Sequence, residues 1–197
     1  MTTDAEIIAA ATRIFREKGY HATSMQDIAA AVGLLKGSLY HHISSKQELL
    51  LKVFENGMQV ATERLEEVAC AELPPAEKLR QAIVRHIELI TEDLDQATVS
   101  LMEARALTLK QRRRLIAQRD YFDGLFQGII QDGIDAGVFR PVDATLITFA
   151  LMGMHNWLVL WYREDGRLSP REIAAIFADL VLNGLLAGEQ KRLVASG

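Results

Sequence analysis

The stretch Thr23–Leu50, reading TSMQDIAAAVGLLKGSLYHHISSKQELL, decides the fold. Ser24 stands before Met25, Gln26 and Asp27 in an S-x-x-D capping pattern: the hydroxyl accepts a backbone N–H from the first turn and the carboxylate accepts one in return. A helix therefore starts there. Its apolar residues Met25, Ile28, Ala29 and Val32 recur at helical spacing, and Gly33 stands where a chain leaving a helix needs positive φ. Beyond the glycine, Lys36-Gly37-Ser38-Leu39-Tyr40-His41-His42 is too short and too polar to bury itself, although Leu35, Leu39 and Ile43 supply one apolar edge. The other face is left to meet something outside. A capped helix, a glycine turn and a second short helix are the layout of a helix-turn-helix that reads DNA.

Helical periodicity continues in both directions, with no alternation that would mark strands, so the expected fold class is all-α. A first helix runs from about Asp4 to Lys18 with Ile7, Ile8, Ala11, Ile14 and Phe15 on one side, and Gly19 ends it. From Leu49 to Cys70 a long helix leaves the short module, and Pro74-Pro75 breaks the chain before the next, which runs to about Ile90. Further helices are expected at about 96–107, at 109–136 closed by Gly137, at 143–162 capped by Asp143, and at 170–186 opened by Ser169-Pro170-Arg171-Glu172. The division falls near Lys46–Leu50, giving an N-terminal three-helix module at 1–48 and a larger helical domain at 49–197. An unbroken helix across it can carry a displacement from one side to the other.

The segment of about residues 5–52 resembles the DNA-binding module of the TetR family of bacterial transcriptional repressors. The resemblance rests on Gly19-Tyr20, Thr23-Ser24, Ile28-Ala29, Gly33, Gly37, Leu39-Tyr40, His42, Lys46 and Leu49. Two positions depart from the family pattern: Leu35 replaces the usual capping Ser or Thr, and Ile43 replaces Phe. Docked as helix-turn-helix proteins dock, the second helix would bring Lys36 to guanine O6 or N7, let the Gly37 backbone approach the bases, and offer Ser38 to a base or phosphate. Tyr40 and His42 resemble the family's phosphate-clamping pair, with Lys46 meeting the backbone and Ser24 and Gln26 binding phosphate from the preceding helix.

Composition sets bounds on this reading. The 197 residues carry a net charge of −4 and are 49% hydrophobic, enough for a substantial helical core. Within residues 1–50, Arg13, Arg16, Lys18, Lys36 and Lys46 are balanced by Asp4, Glu6, Glu17, Asp27 and Glu48, so affinity is expected to depend on geometry and on duplicating the module in a dimer. Cys70 has no cysteine partner. Asp4 and Glu6 lie where a secretory leader would be basic and then apolar, and the apolar run Ala144–Trp161, interrupted by His155 and Asn156, reads as a buried helix and not a membrane span. A cytoplasmic protein is expected. His21, His41 and His42 do not make a metal site, since adjacent histidines on a helix point apart and no Cys or carboxylate shares their face. No phosphate loop, nucleophile turn or buried carboxylate pair marks an enzyme.

The family resemblance also implies a small effector and a homodimer. Ile173, Ile176, Phe177, Leu180, Val181, Gly184 and Leu185 form a stripe wider than one neighbour needs, which places the dimer interface on the last two helices, about 143–162 and 170–186. For the effector, Met154, His155, Trp157 and Trp161 are candidate pocket residues: the two indoles lie four residues apart and His155 interrupts an apolar helix. The run Asp165–Pro170 resembles the C-terminal half of TetR-type regulators of fatty-acid, aromatic-acid and sterol breakdown, which implies an acyl-CoA thioester as effector. Arg105, with Lys110, Arg112, Arg113, Arg114 and Arg119, would then meet its phosphates. The alternatives are packed aromatics, a solvated basic helix, and the same DNA-binding role with another hydrophobic effector or none.

Overall fold

The computed structural model describes residues 3–186. In chain order the helices are α1 (Asp4–Lys18), α2 (Met25–Ala31), α3 (Lys36–His42), α4 (Lys46–Cys70), α5 (Pro75–Glu92) and α6 (Leu94–Met102). A 3-10 turn (Ala104–Ala106) follows, then α7 (Leu109–Asp135), α8 (Ala144–Asn156), α9 (Leu158–Trp161) and α10 (Pro170–Leu185). Among the described residues no strand forms, and the single β-type pairing is an isolated antiparallel bridge between Phe139 and Leu186. The protein is all-α.

Local chemistry sets the helix ends. Capping boxes close the starts of α1 on Thr3 and Glu6, of α2 on Ser24 and Asp27, and of α10 on Ser169 and Glu172. Asp143 caps α8 by accepting the Leu146 N–H at 3.0 Å. Gly19 and Gly33 take φ of 80° and 70°, so each turns the chain where an L side chain would be strained. The N-cap position of α3 is Leu35, and it makes no side-chain capping bond.

The chain forms two compact units. The first holds the described residues up to Val60 together with Asp93–Gln118, and the second holds Ala61–Glu92 with the described residues from Arg119 onward. The first is larger than the 48-residue module that the sequence outlines, for a packing reason. Val53 and Phe54 of α4, Val99 of α6 and Leu107 bury themselves in the same core as Ile7, Phe15, Ile28, Leu39, Ile43 and Leu50. Gln47 adds polar ties, donating to the Ala106 carbonyl at 2.8 Å and to Gln111 Oε1 at 2.9 Å.

In the second unit α5 packs against α8, α9 and α10 around Leu79, Ile83, Ile87, Phe126, Ile130, Leu151, Leu158 and Ala178. The loop after α7 is stitched to the end of α10. The Arg140 N–H donates to the Leu185 carbonyl at 2.8 Å, and its Nε donates to the Gly184 carbonyl at 2.6 Å, satisfying carbonyls that a helix end leaves unpaired. Under this stitch the Phe139 ring lies directly on Gly133, where a Cβ would collide with the ring.

One sequence expectation is corrected here. The apolar run 144–162 is not one buried helix: α8 ends at Asn156, the chain turns at Trp157, and α9 is a single short turn. By length and composition Ala144–Trp161 could cross a membrane, yet only 22% of it is buried inside the described chain. Its outward side carries Leu146, Phe149, Trp157 and Leu160.

Candidate nucleic-acid interface and effector core

The nucleic-acid candidate is the outer face of α3. Leu39 and Ile43 are fully buried and fix the helix to the core of the first unit, while Lys36, Gly37, Tyr40, His41 and His42 are exposed and Ser38 is half-buried. At Gly37 a side chain would meet nothing within 4 Å, so the backbone there is open to an approaching surface. Gln26 is also exposed, at the head of α2. Gln26, Lys36, Gly37, Ser38, Tyr40 and His42, the candidates among these, thus lie on exposed or half-exposed surface. His42 is the one among them with a partner of its own, since its Nδ1 lies 2.9 Å from Asp4 Oδ1, and Nε2 remains for another. This hydrogen bond, followed by the Lys52 charge, holds the Asp4 carboxyl below its ordinary range.

Ser24 and Lys46 are engaged inside the module. The Ser24 hydroxyl donates to Asp27 Oδ2 at 2.6 Å and accepts the Asp27 N–H at 3.1 Å, so it serves the capping box. Asp27 also pairs with Lys18 at 3.0 Å, and the Ser24 hydrogen bonds, with that lysine, hold its carboxyl far below the ordinary range. Lys46, expected to meet the DNA backbone, has its ammonium turned into the module: it donates to the carbonyls of Thr23 at 2.7 Å, Tyr20 at 2.8 Å and His21 at 3.4 Å, and sits 4.4 Å above the Tyr20 ring. An ammonium has three donors, and all three are committed. Lys46 is a positioning residue that gathers the α1–α2 turn, with the Tyr20 hydroxyl donating to Gln47 Oε1 at 3.0 Å and Glu103 Oε1 accepting the Tyr20 N–H at 3.1 Å.

The effector candidates separate. His155 is 0% exposed in the second unit. Its ring stacks on Phe177 at 6.3 Å and meets Phe126 at 6.4 Å and His86 at 5.0 Å, with the two Nδ1 atoms 2.9 Å apart. Burial pushes the His86 pKa down to about 4, and burial together with the neighbouring His86 pushes His155 well below its ordinary value. Both rings are therefore neutral at neutral pH. His155 Nε2 is enclosed without a hydrogen-bond partner. Met154 is half-buried beside it in sequence.

Trp157 and Trp161 do not join this core. They are 61% and 43% exposed, because the break after α8 turns both indoles outward. Other exposed side chains of these helices are of one kind: Leu146, Phe149 and Leu160 from α8–α9, with Ile176 and Leu180 from α10. The α10 stripe is accordingly divided, with Ile173 and Leu185 buried, Phe177 and Val181 outside the fully buried set, and Ile176 and Leu180 exposed. Arg105 lies in the first unit and His155 in the second. Within the basic run, the Arg112 Nε donates to the Leu107 carbonyl at 3.1 Å and Arg114 pairs with Glu55 at 2.7 Å, while Lys110, Arg113 and Arg119 are exposed.

His86 was not a candidate from sequence, although a signal existed: it interrupts the apolar face made by Ile83, Ile87 and Ile90 on α5. The pairing of Asp4 with His42 carries no local signal in the sequence, the two being 38 residues apart.

Comparison with known proteins decides the family. Residues 7–53 match the model of bacterial regulatory proteins of the tetR family, and residues 72–185 match the tetracyclin repressor-like C-terminal domain. The chain belongs to the TetR family. Over 183 residues it is 28% identical to the HTH-type transcriptional repressor KstR2 of Mycobacterium tuberculosis, covering 91% of each chain. The TetR-family regulator PfmR of Thermus thermophilus is similar in structure at 34% identity and a TM-score of 0.85, over 90% of this chain and 97% of that one. AibR, solved in complex with isovaleryl coenzyme A and operator DNA, is 31% identical with a TM-score of 0.83, over 90% of this chain and 96% of AibR. This TetR-family chain is a DNA-binding transcriptional repressor and not an enzyme.

Proposed function

We propose that the protein is a homodimeric repressor whose hold on operator DNA is relieved by an acyl-CoA thioester. The observation that carries the effector class is the likeness, along 90% of the chain, to AibR with its isovaleryl coenzyme A and operator DNA. In the second unit, the enclosed His155 among Phe126 and Phe177 supplies an apolar surround with a polar atom to spare, which suits an acyl group. In the same unit Arg119 keeps an exposed cationic group for a phosphate of such a ligand.

On the DNA side, Lys36, Gly37 and Ser38 read base edges, and Tyr40, His42 and Gln26 take phosphate oxygens. Residues 1–48 are the reading module, and residues 49–197 carry effector and partner. The dimer forms through the outward face of residues 143–162 and 170–186, where Leu146, Phe149, Trp157, Leu160, Ile176 and Leu180 stand exposed on a single chain. A two-fold axis covers the same patch with itself. This is also the reason to place the protein in the cytoplasm: the apolar run 144–161 is interface and not a membrane span. α4 is continuous from Lys46 to Cys70, so effector bound in the second unit reaches the reading module along it. The ligand must prefer the released form, since equal affinity for both forms shifts nothing.

The test is a mobility shift with fragments of the protein's own promoter region, followed by release with a panel of acyl-CoAs, free acids and unrelated hydrophobes. Release by thioesters alone is expected. Release by non-thioesters alone overturns the effector class, and no shift in dilute salt overturns the DNA docking.

A further inference from the structure

We infer that His86 and His155 form a proton-sharing pair that presents His155 Nε2–H as the hydrogen-bond donor for an uncharged carbonyl oxygen of the effector. This rests on the acyl-thioester reading above and adds the atom that recognises it.

The argument begins with the facing Nδ1 atoms, 2.9 Å apart. Two bare lone pairs at that distance repel and two N–H groups collide, so the pair holds one proton between them. Each neutral imidazole carries a single N–H. When His86 donates from Nδ1, His155 accepts at Nδ1 and its own proton must sit on Nε2. When His155 donates instead, its Nε2 is bare. The two tautomers are thus coupled, and whatever meets His155 Nε2 selects between them.

That atom is enclosed and has no hydrogen-bond partner, and the ring that carries it is wholly buried. Around the pair stand Phe122 at 5.1 Å from His86, and Phe126 and Phe177 at 6.4 and 6.3 Å from His155. A buried polar atom left unpaired is costly, and in native proteins the great majority find a partner. The thioester end of an acyl-CoA carries acceptors and no donor, so it selects the arrangement in which His86 donates and His155 Nε2 bears the proton. Burial keeps both rings uncharged at neutral pH. A neutral donor in an aromatic surround favours a carbonyl over a carboxylate, whose charge would be stranded there.

The experiment compares isovaleryl-CoA, its thioether analogue lacking only the carbonyl oxygen, and free isovalerate on the full-length protein. Calorimetry gives affinity, and NMR of the 15N-labelled histidine rings gives the tautomer. The expected result is that wild type binds the thioester about tenfold more tightly than the thioether, a margin typical of one neutral hydrogen bond. Isovalerate should not bind, and Nε2 of His155 should be protonated in the thioester complex. His155→Phe, which extends the phenylalanine surround, should bind thioester and thioether alike. Should that variant fail to fold, the wild-type comparison and the ring NMR still decide. Equal binding of thioester and thioether by wild type, or a bare Nε2 in the complex, overturns the donor and leaves the coenzyme A reading standing. If neither coenzyme A compound binds, that reading falls and the donor falls with it.

Discussion

Two exposed faces of this protein, the outer side of α3 and the outer side of α8–α10, are unfinished in opposite ways. α3 shows water Lys36, Gly37, Tyr40 and His41, while its buried side is anchored by Leu39 and Ile43. Polar groups of this kind are well solvated alone, and the face waits for a partner without cost. The α8–α10 face shows Phe149, Trp157, Leu160 and Leu180, whose apolar area is worth roughly 25 cal/mol per Å² once covered. Under the proposed function the difference separates recognition from assembly: the polar face chooses a partner by geometry, and the apolar face is driven to be covered.

The sharpest way to break that division is Leu180→Arg. Leu180 is 63% exposed, so the fold should persist while a charge on each side of the proposed two-fold interface drives the subunits apart. Sedimentation should show a monomer, and operator affinity should fall by about a hundredfold or more because the second reading head is no longer tethered. A dimer that survives this change would move the interface elsewhere.

Acid should act on neither face but on the core behind them. His86 has its pKa lowered to about 4 by burial, so below about pH 6.5 the unfolded chain binds a proton that the folded chain refuses. Stability contributed by this group is therefore complete at neutral pH and is lost as pH falls from about 6.5 towards 4, by roughly 3 kcal/mol in all. Chemical denaturation across that range should show the slope in wild type and a flatter profile in His86→Gln.

On the polar face, Lys36→Ala should weaken operator binding by about 1–3 kcal/mol with no change in thermal stability, and should relax preference at one base position. Unchanged affinity at matched salt would detach Lys36 from the groove. Leu35→Ser has the smallest expected effect. It supplies the capping hydroxyl that α3 lacks and should raise stability by about 1 kcal/mol, read as a higher unfolding midpoint.

Much of the fold was legible because its signals are local. The Ser24–Asp27 and Ser169–Glu172 boxes, the turn at Gly33 and the cap at Asp143 each lie within a few residues, and each formed as the sequence implied. Exposure along α3 was equally readable, since Leu39 and Ile43 leave one face no core to enter. What escaped depends on distant partners. Periodicity shows that Trp157 and Trp161 share a side of the chain but not whether that side faces inward, and the break at Trp157 settled it outward. Lys46 looked free for phosphate until the carbonyls 23 to 26 residues earlier came into reach. The reach of the first unit to residue 118 depends on Val99 and Leu107 entering a core that begins at Ile7.

The grip of Lys46 has a mechanical meaning. A residue in the opening turn of α4 clasps the three carbonyls that lead into α2, so this joint has no slack to absorb rotation of the rod below it. Turning α4 about its axis drags the head of α2 along like a cog on a keyed shaft, and a lysine shortened or neutralised at this point would let the shaft spin free.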